Sequence, residues 1–127
     1  MKSVLILGAS SLQLDTINAA ILRGLEVYVV DQDPRSIGFS RNVHSYVHDI
    51  NDYDFLCKLI SNKNICGVIN PCSEAALITV SRINDRFGFH GYGLDIANVI
   101  GSKSETRRLI SDAGLPGPLF EIGERDT

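Results

Sequence analysis

Two short apolar runs constrain this chain more than any other feature. Val4-Leu5-Ile6-Leu7 ends in Gly8, and Val27-Tyr28-Val29-Val30 is closed by Asp31. Runs without polar alternation suit strands buried on both faces, the usual condition of a parallel sheet. Between them, residues 11–23 carry helical spacing. Leu12, Ile17, Ala20 and Ile21 can line one side of that helix before Gly24 ends it. The result is a strand–helix–strand unit, whose crossover is expected to be right-handed.

The same alternation continues. His44–Val47 reads as a short third strand. Asn51 or Asp52 can cap a helix running to about Asn62, with Phe55, Leu56, Leu59 and Ile60 facing inward. Cys66-Gly67-Val68-Ile69 reads as a fourth strand, stopped by Asn70-Pro71. Ser73 can cap a helix that turns Ala76, Leu77, Val80 and Ile83 to the core. Phe87–Tyr92 fits a short strand or a loop, and Leu94–Ile100 a short helix. This order predicts an α/β fold: an open, mostly parallel, Rossmann-like sheet with helices on both faces. Residues 1–100 form its domain, with a boundary near Gly101.

Residues 101–127 read as the truncated start of a second domain. Ser102 and Glu105 make an S-x-x-E capping box. Gly114 suits the position just past a helix end, and Pro116 prevents continuation. A helix marked this clearly normally leads into further structure, yet only a short polar tail to Thr127 follows. The tail from Leu119 is expected to lack order on its own. Apolar residues around Leu109, Ile110 and Leu115 are expected to be exposed, which gives a homodimer a surface to form on.

Charge and cysteine usage exclude several classes. The net charge is −3, and Lys103, Arg107 and Arg108 form the only basic cluster, so a nucleic-acid partner is not expected. Val4–Leu7 is too short for a signal-peptide core, and no stretch reaches the length of a membrane span. The three cysteines, Cys57, Cys66 and Cys72, are odd in number and form no C-x-x-C, which points to a reducing cytoplasm.

In an open parallel sheet, ligands bind beyond the carboxyl ends of the strands. Four loops lie there: Gly8–Gln13, Asp31–Arg41, His48–Asp52 and Asn70–Glu74. In the first, backbone N–H groups at a helix start favour an anion, and Ser10 and Ser11 add hydroxyls. Ser10 and Gln13 equally fit S-x-x-Q, a self-capping helix start. Dinucleotide binding is poorly supported, because only Gly8 survives of the three glycines that G-x-G-x-x-G needs. Asp31 resembles a ribose-binding acid, although Asp at a strand end is also a common turn residue. Asp31-Gln32-Asp33-Pro34 is better explained by a turn than by a carboxylate pair. Arg35 and Arg41 are as plausibly solvated as phosphate-binding. Cys72 lacks a partner His for nucleophilic chemistry, and Glu74 suits a first helical turn whatever its role. No residue set has metal-ligand spacing.

Taken in order, these pieces resemble the N-terminal, pre-ATP-grasp domain of the ATP-grasp superfamily, which includes biotin carboxylase and the large subunit of carbamoyl phosphate synthase. The matching stretches are Leu7–Gln13, Val29–Pro34, His48–Asp52, Gly67–Glu74, and Ile100–Lys103 through Ala113–Pro118. The resemblance implies a substrate- or anion-binding role for Gly8, Ser10, Ser11, Gln13, Asp31 and Glu74. It also implies a nucleotide-phosphate contact for Lys103, which otherwise reads as a solvated first-turn residue. It implies ATP and magnesium as cofactors of the intact protein, with none expected on this chain alone.

On that basis the chain is expected to be the substrate-side domain of an ATP-dependent carboxylate–amine or bicarbonate–amine ligase. Its partners would be a small-molecule substrate and a missing C-terminal ATP-grasp domain, and it would be inactive alone. A nucleotide- or NAD-binding Rossmann module and a non-catalytic interaction domain are the rival readings.

Overall fold

The computed structural model describes residues 1–123. The last four residues of the polar tail therefore lie outside the described part. Four strands, β1 (Ser3–Leu7), β2 (Glu26–Asp31), β3 (His44–Val47) and β4 (Val68–Ile69), form one open sheet in the order β3-β2-β1-β4. Every pairing is parallel, so the sheet is wholly rather than mostly parallel. In register, Leu5 faces Tyr28 on one side and Val68 on the other. β4 is shorter than its apolar run, but backbone bonds from Cys66 N–H to Ser3 and from Leu5 N–H to Gly67 extend the pairing.

Helices α1 (Leu14–Leu22), α2 (Tyr53–Lys63) and α3 (Leu77–Phe87) cover the sheet. Successive side chains of a strand point to opposite faces. Leu5, Leu7, Tyr28 and Val30 accordingly meet α2 and α3 through Leu56, Leu59, Ile60, Val80 and Ile83. Val4, Ile6, Val27 and Val29 meet α1 through Ile17 and Ala20, with Phe39 and Val43 at the margin. Full burial of each such side chain stabilises by about 1.5–3 kcal/mol before the entropy of ordering is set against it.

Helix starts follow local chemistry. Asp52 caps α2, its carboxylate accepting from Phe55 N–H at 3.1 Å. α1 begins only at Leu14, because residues 11–13 form a tight turn; Leu12 is consequently 70% exposed instead of lining the core. Ser73 does not cap through its side chain. A 3-10 turn, Glu74–Ala76, precedes α3, and Asn70 clasps Ser73 by accepting from its N–H and donating to its carbonyl. Phe87 ends α3, and the stretch on to Tyr92 is loop, with the Phe87 and Phe89 rings stacked 5.4 Å apart.

Two further helices, α4 (Leu94–Ile100) and α5 (Lys103–Asp112), follow, α4 against α3 and α5 against α4. Ser102 caps α5 by accepting from Glu105 N–H at 3.3 Å. The return half of the expected box is missing, since Ser102 N–H donates to Val99 and Glu105 pairs with Arg108. Gly114 adopts a positive φ of 68°, which ends the helix. α5 buries no residue.

Candidate functional site

The strand order reverses beside β1. The chain moves from β1 outward to β2 and β3, then crosses over to β4 on β1's other side. Loops leaving β1 and β4 in opposite directions open a crevice at their carboxyl ends, the usual ligand position in such sheets. A cleft of about 290 Å³ lies at those ends. Gly8, Ser10, Gln13 and Asp31 line it, together with Asp49, Asn51 and Ser73.

The first loop is held from several sides. Gly8 N–H donates to Val30, and Ala9 N–H donates to Oδ2 of Asp31 at 2.8 Å. Ala9 C=O accepts from Gly38 N–H at 2.7 Å. Gly38 sits in a short 3-10 turn, Ile37–Ser40, packed so closely on the loop that a Cβ there would lie 2.7 Å from Ala9 O. The other oxygen of Asp31 accepts from Asp33 N–H, and Asp33 in turn accepts from Arg35 N–H. This is the turn expected of Asp-Gln-Asp-Pro.

Gln13 folds back into the loop and is only 6% exposed. Its Oε1 accepts from both Ser10 N–H, at 2.9 Å, and Ser10 O–H, at 2.6 Å. Ser10 Oγ accepts from Leu12 N–H. The self-capping alternative for Ser10 and Gln13 therefore describes the loop, although Ser10 Oγ serves Leu12 rather than Gln13 N–H. A backbone N–H can only donate, so Oε1 is fixed on the Ser10 side. The Nε2 group of Gln13 donates to no described residue and is open to solvent, since among the described residues only Asn84 Oδ1 is a buried side-chain polar atom without a partner. The amides of residues 9, 10 and 12 are thus already engaged, where a dinucleotide fold would turn such groups to a pyrophosphate.

The His48–Asp52 loop forms the opposite wall. His48 Nε2 lies 2.8 Å from Oδ2 of Asp52, and its ring stacks 3.8 Å from that of Phe55. That hydrogen bond, then the Phe55 N–H, hold the Asp52 carboxyl below its usual range. Asp49 accepts from Asn51 N–H at 2.9 Å, and Thr79 of α3 donates to Asn51 Oδ1 at 2.9 Å. The loop is therefore tied to both α2 and α3.

Other candidates lie elsewhere. Ser11 and Glu74 are exposed and do not line this cleft. Lys103 lines a separate groove on α5 with Ser104, Arg107 and Phe120. Cys72 is exposed, its thiol 3.5 Å from Leu12 O. Sequence reasoning selected the His48–Asp52 loop but neither Asp49 nor Asn51 within it. Nothing in the pattern signalled Gly38, whose contact with Ala9 spans two loops. Among the described residues, no three His, Cys, Asp or Glu side chains are grouped to hold a metal ion, and no helix is long and apolar enough to cross a membrane.

No family model matches the chain, and no curated protein matches it by sequence. Solved structures match by fold. N5-carboxyaminoimidazole ribonucleotide synthetase from Thermotoga maritima superposes with a TM-score of 0.76 at 21% identity, over 98% of this chain and 34% of that one. L-amino acid ligase from Bacillus licheniformis gives 0.76 at 18% identity, over 95% of this chain and 31% of that one. The biotin carboxylase domain of 2-oxoglutarate carboxylase from Hydrogenobacter thermophilus, crystallised with MgADP, ADP and bicarbonate, gives 0.73 at 14% identity, over 91% and 28%. All three are ATP-grasp enzymes. The resemblance read from the sequence thus holds at the level of fold, and the chain spans about a third of the length of each.

Proposed function

We propose that this chain is the substrate-side domain of an ATP-dependent carboxylate–amine or bicarbonate–amine ligase. One observation carries the reading: the fold is shared with about a third of several ATP-dependent ligases, and it sets a braced polar cleft at the reversal of strand order. Gly8, Ser10, Gln13 and Asp31 would form the wall that receives substrate, with Ser11 and Glu74 at its approaches. Lys103 would reach nucleotide phosphate from α5 once the rest of the enzyme closes over it.

ATP and magnesium belong to that larger assembly. The described residues group no three metal ligands, so magnesium would be held by parts outside them. When bound, the nucleotide supplies the phosphoryl group that activates a carboxylate. Such transfer depends on positioning and charge neutralisation, and a single wall supplies neither in full. The Gln13 carboxamide, lying across the amides of the first loop, weighs against an NAD-binding module. The cytoplasm fits the three free cysteines.

The test is ATP turnover. The purified 127-residue chain should release no ADP with magnesium, ATP and a panel of carboxylates and amines. Joined to whatever its reading frame encodes beyond Thr127, it should release ADP only when both a carboxylate, or bicarbonate, and an amine are supplied. Magnesium-dependent ADP release by the chain alone would overturn the proposal.

A further inference from the structure

We infer that β3 and the residues just after it, 44–50, form a strap pinned at each end by a histidine–carboxylate clasp, and that acid releases it from β2 as one unit. The strap belongs to this fold whether or not the ligase reading holds. β3 is an edge strand. It pairs only with β2, and His44, Ser45 and Val47 are exposed. A short strand with solvent on its outer edge sits at the low-stability end of a fold. At its amino end, His44 Nε2 lies 2.9 Å from Oε1 of Glu26, and the His44 ring stacks 4.5 Å from that of Tyr28. At its carboxyl end, His48 Nε2 lies 2.8 Å from Oδ2 of Asp52, and its ring stacks on Phe55. Between the clasps, Tyr46 packs edge-on to Phe55 at 6.2 Å. An ionised carboxylate only accepts, so Nε2 carries the proton in both pairs.

The carboxylates are the acid-sensitive halves. Glu26 also accepts from Tyr28 O–H at 3.1 Å and from Ser3 O–H at 3.2 Å, so one side chain joins β1, β2 and β3. The Tyr28 hydroxyl, then His44 and Ser3, hold the Glu26 carboxyl below its usual range despite desolvation. Tyr46 stands beyond Tyr28, and Met1 lines the groove beside Glu26 and His44. Asp52 faces His48, Phe55 N–H and, along α2, Lys58. On α3, Arg82 lies 3.9 Å over the ring of Tyr53. A carboxyl lowered in the folded state contributes fully above its unfolded value, and that contribution is lost as pH falls through the folded one. Both clasps therefore weaken in the same range, below about pH 4. What moves is bounded. Thr79 holds Asn51, and Asp52 caps α2, so those two stay with the helices. Asp49 and Ile50 line the cleft and travel with the strap, so its release draws back one wall.

Amide hydrogen exchange, corrected for intrinsic rates and read by NMR at pH 6 and pH 3.5, tests this. Tyr46 and His48 turn their N–H groups to β2, and Asn51 N–H is held by Asp49. These three amides should share one opening constant, larger than that of Val80 and Ile83 in α3. It should rise on acidification by a larger factor than theirs. At pH 6, Glu26→Gln should raise the shared constant by roughly two- to fivefold, the scale of one exposed ion pair. The rise should be as large at His48 and Asn51 as at Tyr46, and the dependence on pH should shrink. A response confined to Tyr46, an equal response in α3, or opening that does not change with pH overturns the inference. Should the variant not fold, the pH series on the unaltered chain decides.

Discussion

A Cβ on Gly38 would meet Ala9 O at 2.7 Å and Cδ1 of Ile17 at 2.8 Å. Neither the loop backbone nor the core side chain can withdraw freely, so Gly38→Ala should destabilise the fold by roughly 1–3 kcal/mol, the usual range for overpacking. Gly67→Ala is the control, since a Cβ there meets nothing within 4 Å; it should change stability by less than about 0.5 kcal/mol. Urea unfolding of the two variants measures the difference. Gly8 differs in kind. Its φ of 91° favours glycine, and an added Cβ would approach Cδ of Gln13 at 2.7 Å, so a substitution there disturbs the site as well as the backbone.

Asp52 gives the pH dependence at this scale. Its carboxyl is lowered by His48, then by Phe55 N–H. A lowered folded pKa means that the unfolded chain binds the proton first as pH falls. The contribution is complete above the unfolded value and is lost progressively below about pH 4. Asp52→Asn should therefore flatten the acid limb of the stability profile, as denaturant melts between about pH 2.5 and 6 would reveal. An unchanged acid limb would refute that assignment.

Among elements, α3 and α5 differ most in what they hold. Ile83 of α3 is fully buried between helix and sheet, whereas Leu109 of α5 is 52% exposed. Ile83→Ala should cost about 2–5 kcal/mol, and Leu109→Ala about 0.5 kcal/mol or less. Thermal melts of both should separate clearly. The sequence foretold these elements unevenly, for physical reasons. β2 and α4 were legible because a buried run, or a run ended by glycine, is a local signal, whereas β3 is short and largely exposed. β4 was legible as a run but pairs largely through backbone, which no side-chain pattern reports. Leu12 misled because an apolar residue in helical register does not reveal that the turn before α1 keeps it outside. The cleft was legible as a set of loops, since strand ends predict where ligands lie. The Ala9–Gly38 and Asn51–Thr79 contacts were not, because each joins residues far apart in sequence.

At the scale of the molecule, apolar exposure concentrates after α4. Leu109, Leu115, Phe120 and Ile122 are all at least 40% exposed. A surface of that kind tends to be covered by another body, and in the proposed ligase the remaining two-thirds would do so. Alone, the chain should self-associate at high concentration. Sedimentation velocity across about 10–200 µM should show a shift that a Leu109→Asp, Leu115→Asp, Phe120→Asp variant abolishes. Equal sedimentation of both proteins at every concentration would remove this face as the cause.

The strut from Gly38 to Ala9 has a consequence for anyone wishing to transplant the first loop. Gly8, Ser10 and Gln13 line the cleft, but the shape of their loop is imposed by a donor roughly thirty positions away, counting from Ala9 to Gly38. Grafted onto a foreign scaffold without that second segment, the hexapeptide would keep its spelling and lose its geometry.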